Sequence, residues 1–394
     1  MEVYLSDRVN RIKPSPTLAV TNRAAELRAD GKDIIGLGAG EPDFDTPEHI
    51  KEAAIQAIHD GKTKYTAVDG TPTLKNAIIN KFERDNGLSY EAKQILVSCG
   101  GKQSFFNMSL ALLNHGDEVI IPAPYWVSYP DMVQIAGAKP VIIEAGLDQR
   151  FKITAEQLEA AITPKTRLMV LNSPSNPSGM AYTLPELQAL AQVLLKHPHI
   201  LIATDDMYEH ILWTPDPFCN ILNACPELVD RTLVLNGVSK AYSMTGWRIG
   251  YAAGPQWLIQ AMKKIQSQST SNPASISQVA AEAALNGPMD KVSEMLKAFK
   301  ERHDYVVHAL NNMPNVRCEA GDGTFYAFAN FQSAINTLEN INNDVEFAEF
   351  LLIRAGVALV PGSAFGSPGY ARISFATGMD SLKEALKRIE KVLN

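Results

Sequence analysis

Short apolar runs recur through the middle of the chain, separated by polar loops or by stretches with helical periodicity. The runs lie at residues 95–97, 119–121, 141–143, 168–171, 200–203, 233–235 and 251–253. Runs of this length, rich in valine, isoleucine and leucine, are typical of buried strands. Their alternation with helical stretches predicts an α/β fold with a large, mainly parallel seven-stranded sheet.

The two ends of the chain show other patterns. The first residues are polar, and Pro14 and Pro16 predict an extended arm before a helix at 21–28. From Met289, helical spacing of apolar residues predicts a long amphipathic helix. Its buried face would comprise Val292, Met295, Leu296, Phe299, His303, Val306 and Leu310.

A smaller α+β domain is expected to follow this helix. Its predicted strands lie at 325–328, 357–362 and 372–376. The domain division that we predict is an N-terminal arm with part of the small domain (1–45), a large domain (46–290) and a C-terminal small domain (291–394).

Composition and charge narrow the function classes. The 394 residues include 36 Lys+Arg and 43 Asp+Glu, and the net charge of −7 argues against a nucleic-acid-binding surface as the main role. The four cysteines are scattered and form no CxxC pair, so neither a metal site nor a redox dithiol is expected. Because the sequence shows no signal-peptide pattern and no apolar run long enough to span a membrane, we expect a cytoplasmic protein.

One stretch carries the strongest chemical signal. Residues 236–250 read Asn-Gly-Val-Ser-Lys-Ala-Tyr-Ser-Met-Thr-Gly-Trp-Arg-Ile-Gly, so small residues surround Lys240, and Arg248 follows eight positions later. A desolvated lysine has a lowered pKa and attacks carbonyl groups, and a guanidinium binds phosphate as a planar fork. Pyridoxal 5′-phosphate (PLP) offers both an aldehyde and a phosphate. A lone lysine is far more often a solvated surface residue, but the stretch as a whole predicts a PLP site.

This stretch resembles the lysine signature of class I aminotransferases of PLP fold type I. The resemblance extends from residue 13 to residue 372 and implies a large domain built on the predicted sheet, with a smaller α+β domain. It also implies that Lys240 binds PLP as a Schiff base and then moves the substrate's α-proton as a general base. One position departs from the pattern, because Gly237 stands where many members have a serine that contacts the phosphate.

Two glycine-rich turns are candidate anion sites. Residues 36–40 read Gly-Leu-Gly-Ala-Gly, but a Glu-Pro pair follows where a dinucleotide fingerprint needs a helix. By the resemblance, Gly40 contacts the substrate's α-carboxylate. Gly100 and Gly101 precede a helical stretch at 104–113, which indicates either a phosphate site made of free N–H groups or an ordinary strand-to-helix turn. The resemblance favours the phosphate site.

The resemblance implies further cofactor contacts near the ends of the predicted strands. Trp126, in a proline-stiffened loop, would stack on the cofactor ring, although a tryptophan there could equally belong to the core. Asn176 and Tyr208 would hydrogen-bond the ring's phenolic oxygen. Asp205 would keep the ring nitrogen protonated, so that the ring accepts electrons. A lone carboxylate at a strand end could also bind a metal or cap a helix.

Substrate and subunit contacts are implied in the same way. Arg372 lies in an alternating strand, where a lone arginine is usually a salt-bridge partner, and the resemblance makes it the holder of the α-carboxylate. Trp126 and Asn176 would line the same substrate site. Tyr65 resembles the tyrosine that reaches the phosphate of a partner subunit, which implies a homodimer with shared active sites.

The chain resembles the bacterial aspartate and prephenate aminotransferases within the family. An acidic substrate needs a second cation, and no arginine lies at residues 268–272, so the resemblance assigns this role to Lys102, beside the cofactor. Relatives that accept prephenate carry a basic residue in the arm, here Lys13, and often a threonine, here Thr17. A solvated arm residue is an equally good interpretation of Lys13. We therefore expect amino transfer from L-aspartate to 2-oxoglutarate, with prephenate or arogenate as further substrates.

Two other functions fit parts of the pattern. The first is transamination of alanine or aromatic amino acids, or a β-elimination, on the same fold, and Lys102 is the residue that separates these from the acidic-substrate reaction. The second is a non-enzymatic regulator, since PLP-fold domains occur in transcription factors. Those proteins carry an additional N-terminal DNA-binding domain, and the resemblance begins near residue 13, which argues against this function.

Overall fold

The computed structural model describes residues 4–394, and over these residues the chain forms three sheets with helices packed around them. The helices are α1 Asp7–Arg11, α2 Pro16–Ala29, α3 Glu48–His59, α4 Pro72–Lys81, α5 Gly101–Leu112, α6 Ser128–Ile135, α7 Ala155–Ala161, α8 Leu184–Lys196, α9 Ile221–Ala224, α10 Gln256–Ser267, α11 Ser275–Asn286, α12 Asp290–Asn311, α13 Gln332–Ile335, α14 Asp344–Phe350 and α15 Met379–Leu393. The strands are β1 Ile35–Gly36, β2 Ile95–Ser98, β3 Glu118–Ala123, β4 Lys139–Glu144, β5 Thr166–Asn172, β6 Leu201–Asp205, β7 Thr232–Gly237, β8 Gly250–Ala253, β9 Arg317–Cys318, β10 Tyr326–Asn330, β11 Val357–Ala358, β12 Val360–Pro361 and β13 Tyr370–Ser374.

The large sheet has seven strands in the order β2-β8-β7-β6-β5-β3-β4. Strand β8 runs antiparallel to both of its neighbours, and the remaining pairs are parallel. Ile120 of β3 joins one apolar cluster, whereas Val119 and Ile121 join another, so the sheet is covered on both faces. Strands buried on both faces need apolar residues at every position. This is why six of the seven runs were visible in the sequence, whereas the run in the edge strand β4 has only Ile143 buried. The predicted fold class is confirmed.

The C-terminal part is built on a four-stranded antiparallel sheet in the order β12-β13-β10-β9. Helix α12 begins one residue after Met289. Leu296 of its predicted face is half-buried, and the other six residues of that face are buried: Val292, Met295, Phe299, His303, Val306 and Leu310. Strand β1 pairs in parallel with β11, which ties the N-terminal segment to this part of the fold. The exact domain boundaries stay a prediction.

Two local predictions were wrong. The run at 357–362 is not one strand, because β11 pairs with β1 in a two-stranded sheet and β12 pairs with β13 in the four-stranded sheet. The N-terminal arm is not extended throughout, because α1 and α2 are helices. At the start of α2 the Ser15 hydroxyl accepts a hydrogen bond from the Leu18 N–H, and Pro16 occupies the first turn. Proline has the φ angle of a first helical residue, so it favours a helix start here and not an extended segment.

No helix in the range 4–394 combines the length and the apolarity needed to cross a membrane. The four cysteines are unpaired thiols.

Candidate active site

A cavity of about 450 Å³ lies at the carboxyl ends of the parallel strands. Asn172 ends β5 and pairs with Asp205, which ends β6, and Lys240 follows three residues after the end of β7. Loops that leave neighbouring parallel strands meet at one edge of the sheet, which is where α/β folds place their ligands. Ten of the thirteen predicted site residues line this cavity: Gly40, Gly101, Lys102, Trp126, Asn176, Asp205, Tyr208, Lys240, Arg248 and Arg372.

Lys240 extends into the cavity and donates a hydrogen bond from Nζ to the Gly40 carbonyl oxygen at 2.5 Å. Its ammonium group also lies 5.9 Å from the centre of the Phe325 ring. Burial first, and the nearby charge of Arg372 second, lower the pKa of Lys240 to about 8. About a tenth of this amine is therefore neutral at pH 7, far more than for a solvated lysine, and the neutral amine is the nucleophile that Schiff-base chemistry requires.

Asp205 contributes a negative charge to the lining of the cavity. Its Oδ2 accepts a hydrogen bond from the Tyr129 hydroxyl, and its Oδ1 accepts one from the Met207 N–H at 3.3 Å. Burial raises the pKa of Asp205, while these two donors and the charge of Lys240 oppose that rise. The carboxylate can therefore hold a cationic N–H group that enters the cavity.

Arg372 is a buried cation whose hydrogen bonds go only to neutral groups. One guanidinium nitrogen donates to Asn176 Oδ1 at 2.8 Å, and the other donates to the Gly38 carbonyl oxygen at 2.7 Å. The third nitrogen, Nε, is buried and has no hydrogen-bond partner among residues 4–394, and the guanidinium stacks 4.3 Å from the centre of the Tyr326 ring. A buried cation without a counter-ion is costly, so this side chain is suited to an anionic ligand.

The start of α5 forms a second anion cradle. Gly100 has φ +90°, a conformation that favours glycine, and a Cβ atom built on it would also meet the guanidinium of Arg248. Among the described residues, the N–H groups of Gly101 and Lys102 have no backbone acceptor, whereas the Gln103 N–H donates to the Gly100 carbonyl oxygen at 3.0 Å. Arg248 donates to the backbone oxygens of Thr245 and Cys99, at 2.9 and 3.3 Å, and so approaches the helix start. This combination of free N–H groups, helix dipole and guanidinium binds phosphate well.

Lys102 and Trp126 lie next to each other in the lining of the cavity. The Lys102 ammonium lies 5.1 Å from the centre of the Trp126 ring. Partial desolvation first, and the charge of Arg248 second, lower the pKa of Lys102. Across residues 4–394, none of the four cations of this cavity forms a salt bridge with a carboxylate, although Glu41 and Asp205 also line it.

The segment that carries Gly40 is held in place by contacts with distant parts of the chain. A Cβ atom on Gly40 would lie 2.9 Å from the Tyr326 hydroxyl, which explains the glycine. Glu41 accepts a hydrogen bond from the Thr245 hydroxyl at 2.8 Å. The guanidinium of Arg302, in α12, donates two hydrogen bonds to the Asp43 carboxylate, at 2.7 and 3.0 Å.

Three predicted residues lie outside the cavity lining. Gly100 stands directly behind it as the residue before α5. Tyr65 is 92% exposed, and Lys13 is exposed near Asp131 of α6. Their predicted roles stay predictions, whereas Thr17 of the same arm does line the cavity.

Two residues of the site were missed in the sequence. Tyr129, the donor to Asp205, lies one helical turn after Trp126, and that spacing was a usable signal. Tyr326 lies beside Arg372 and bonds the Tyr208 hydroxyl at 3.0 Å. Tyr326 lies in β10, the strand next to the one that contains Arg372. This position was a weaker signal, because the pairing of β10 with β13 was not predictable from the sequence.

Comparison with known proteins shows the family to which the chain belongs. The sequence pattern of "Aminotransferase class I and II" matches residues 32–389. The chain is a member of this family. As its members are, it is a PLP-dependent aminotransferase of fold type I, and the seven-stranded sheet agrees with that fold.

Individual relatives match over their full lengths. An aspartate/prephenate aminotransferase of Nitrosomonas europaea is 62% identical over 99% of this chain and 100% of its own. One of Cereibacter sphaeroides is 56% identical over 98% of each. The aspartate aminotransferase of Rhizobium meliloti has the same fold, with a TM-score of 0.96 and 51% identity over 100% of this chain and 99% of its own. That of Thermus thermophilus, solved with maleate, has a TM-score of 0.94 and 41% identity over 99% of this chain and 100% of its own.

The residues of the cavity fit PLP. The start of α5 and Arg248 match a phosphate, the lowered pKa of Lys240 matches an aldehyde, and Asp205 matches a ring N–H. The cavity volume of about 450 Å³ lies within the range of small-molecule sites.

Proposed function

We propose that the protein is an aspartate aminotransferase that transfers the amino group of L-aspartate to 2-oxoglutarate and also accepts prephenate or arogenate. The observation that carries this proposal is a single cavity in which Lys102, Lys240, Arg248 and Arg372 converge without carboxylate partners. One of these cations is needed for the cofactor aldehyde and one for its phosphate. The other two remain for the two carboxylates of an acidic substrate.

Each residue has a role in this proposal. Gly100, Gly101 and Arg248 bind the phosphate. Trp126 stacks on the cofactor ring, with which Asn176 and Tyr208 form hydrogen bonds, and Asp205 holds the ring nitrogen protonated. Arg372 and the Gly40 segment bind the substrate's α-carboxylate.

The reaction needs an electron sink and a base. PLP, when bound, supplies an aldehyde that links to amines and a ring that withdraws electrons from the α-carbon. Lys240 Nζ removes the α-proton and returns it to the other side of the transferred nitrogen, because its lowered pKa leaves it able to gain and lose a proton. Arg372 and Trp126 orient the substrate and exclude water from the α-carbon.

Substrate choice depends on Lys102 in this proposal. Its ammonium lies beside Trp126 in the lining of the cavity, and the side-chain carboxylate of aspartate would extend toward it. The similar Thermus thermophilus enzyme was solved with maleate, which is a four-carbon dicarboxylate. Prephenate also carries two carboxylates, and the names of the most similar relatives include it. Thr17 and Leu18 of the arm also line the cavity and would contact the larger ring of prephenate. Lys13 belongs to the same arm.

Removal of the Lys102 ammonium tests this assignment. The visible cofactor band of the purified enzyme should be lost rapidly on addition of L-aspartate or arogenate, and slowly with L-alanine. In Lys102→Ala, we expect the second-order rate constant for aspartate to fall about 30- to 5,000-fold, since the loss of a partner from a buried charge pair costs about 2–5 kcal/mol. The rate constant for alanine should change less than about threefold.

Lys297→Ala is the matched control, because Lys297 is an exposed lysine of α12 away from the cavity. Equal losses for aspartate and alanine would show that Lys102 serves the cofactor and not the distal carboxylate. If alanine or tyrosine bleached the band while aspartate did not, the acidic-substrate proposal would be wrong and the alternative transaminase would replace it.

We further propose that the enzyme works as a homodimer in the cytoplasm. Tyr65 is 92% exposed, and Ile55 and Ile58 of the preceding helix are exposed apolar residues. A second copy that covers this face would place Tyr65 near the partner's phosphate site. We expect analytical ultracentrifugation to give the mass of two chains, and Tyr65→Phe to weaken PLP binding without dissociating them. A monomer with full activity would contradict this proposal.

A further inference from the structure

Two groups of the described chain donate hydrogen bonds to the side chain of Asp205, and one of them is a side chain with no assigned role. The Tyr129 hydroxyl donates to Oδ2, whereas the Met207 backbone N–H donates to Oδ1 at 3.3 Å. The Tyr129 hydroxyl is therefore the stronger of the two hydrogen-bond donors to this carboxylate, and it is the one that comes from a side chain. A hydrogen bond to a charged acceptor is roughly twice as strong as one between neutral groups.

The ring of Tyr129 is fixed by its surroundings. It is only 1% exposed, and it packs edge-on against Trp126, with ring centres 5.2 Å apart and planes at 88°. On the other side the Phe105 ring lies 4.8 Å away. Burial raises the pKa of the Tyr129 hydroxyl well above its usual value, so this group remains a donor at working pH. Trp126 and Asp205, which would contact opposite parts of the cofactor ring, are therefore connected through one rigid residue.

We propose that Tyr129 is a positioning residue that acts through Asp205, holding the carboxylate ionised and oriented toward the ring nitrogen of the cofactor. The inference rests on the proposed function. A donor to the charged form of an acid stabilises that form. Without this donor, the proton between Asp205 and the ring nitrogen shifts toward Asp205, and the ring withdraws electrons less strongly from the α-carbon.

The other groups around Asp205 do not replace this hydroxyl. Lys240 and Tyr208 face the same carboxylate from the cavity side, and the charge of Lys240 lowers the pKa of Asp205. Asp206 is turned away, because its carboxylate accepts hydrogen bonds from Thr204 and from Asn220, both at 2.7 Å. Removal of the Tyr129 hydroxyl alone therefore isolates its contribution.

Tyr129→Phe keeps the ring and removes only the hydroxyl. In the apo-protein we expect the pKa of Asp205 to rise by about 1 to 2 pH units, since a hydrogen bond to a charged group is lost. It can be followed by infrared difference spectroscopy against pH, with the spectrum of Asp205→Asn subtracted. In the loaded enzyme, the single-turnover rate with L-aspartate should fall about 10- to 100-fold. The dissociation constant for aspartate should stay within about twofold, since Arg372 and Lys102 are untouched.

Tyr90→Phe is the matched control. Tyr90 is also buried, but its hydroxyl has no hydrogen-bond partner in the part of the chain that the structure describes, and Tyr90 is not among the residues that line the cavity. This variant should leave both the pKa of Asp205 and the single-turnover rate at wild-type values. Either an unchanged pKa of Asp205 or an unchanged rate in Tyr129→Phe overturns the inference. Absence of the cofactor band in the wild-type protein would instead contradict the proposed function, so the two failures are distinguishable.

Discussion

Replacement of Lys240 by alanine should reduce the transamination rate by about 10⁴-fold or more. A general base alone contributes roughly 10²–10⁴-fold, and this variant also loses the covalent attachment of the cofactor. Lys240→Arg should be equally inactive, because a guanidinium keeps the charge but does not lose its proton. Steady-state assays of oxaloacetate formation measure the loss. Borohydride reduction followed by mass spectrometry should find the cofactor on the peptide that contains Lys240 only in the wild-type protein.

The pH dependence of cofactor capture provides a second measurement on the same residue. Burial and the charge of Arg372 lower the pKa of Lys240 to about 8, and the neutral amine is the reactive form. The rate at which the apo-protein attaches PLP should therefore rise with pH through a midpoint of about 8. The Glu41 carboxylate raises the pKa of Lys240, so Glu41→Gln should lower the midpoint. A midpoint near that of a solvated lysine, about 10.4, would contradict a desolvated nucleophile.

Replacement of Arg372 by lysine should reduce kcat/KM for aspartate by about 10²- to 10³-fold. The charge remains, but the planar fork that pairs with a carboxylate is lost, and the loss of one partner of a buried charge pair costs about 2–5 kcal/mol. The effect should appear mainly in KM, since the bond to the carboxylate is made before the chemical step. Stopped-flow measurement of the half-reaction at several aspartate concentrations separates binding from conversion.

Arg248→Lys is the contrasting variant for this prediction. Its guanidinium lies at the start of α5, so its loss should weaken PLP binding more than aspartate binding. Arg372 also bonds Asn176 and Gly38, so thermal unfolding and PLP affinity must show that Arg372→Lys is folded. If folded Arg372→Lys kept kcat/KM within about threefold of the wild type, the carboxylate would have to bind elsewhere.

The large sheet was predictable because its signal is local. A strand covered on both faces needs apolar residues at every position, and six of the seven runs lie in such strands. The seventh, in the edge strand β4, is apolar although Ile142 is exposed. The long helix α12 was predictable for the same reason, since its buried face repeats at helical spacing. The predictions failed where the same local signal fits two structures. The run at 357–362 could form one strand or two, and only the positions of β1 and β13 decided this.

Ten of the residues that line the cavity were predicted from the family resemblance, but the contacts between them were not. Lys240 bonds a carbonyl 200 residues away, Arg372 bonds one 334 residues away, and Tyr129 bonds Asp205 across 76 residues. By itself, the sequence determined the order and type of the main elements and the identity of most chemical groups. Only the tertiary structure decided which of those groups touch and which cations lack partners. The physical reason is that periodicity reports which face of an element is buried, but not which other element covers that face.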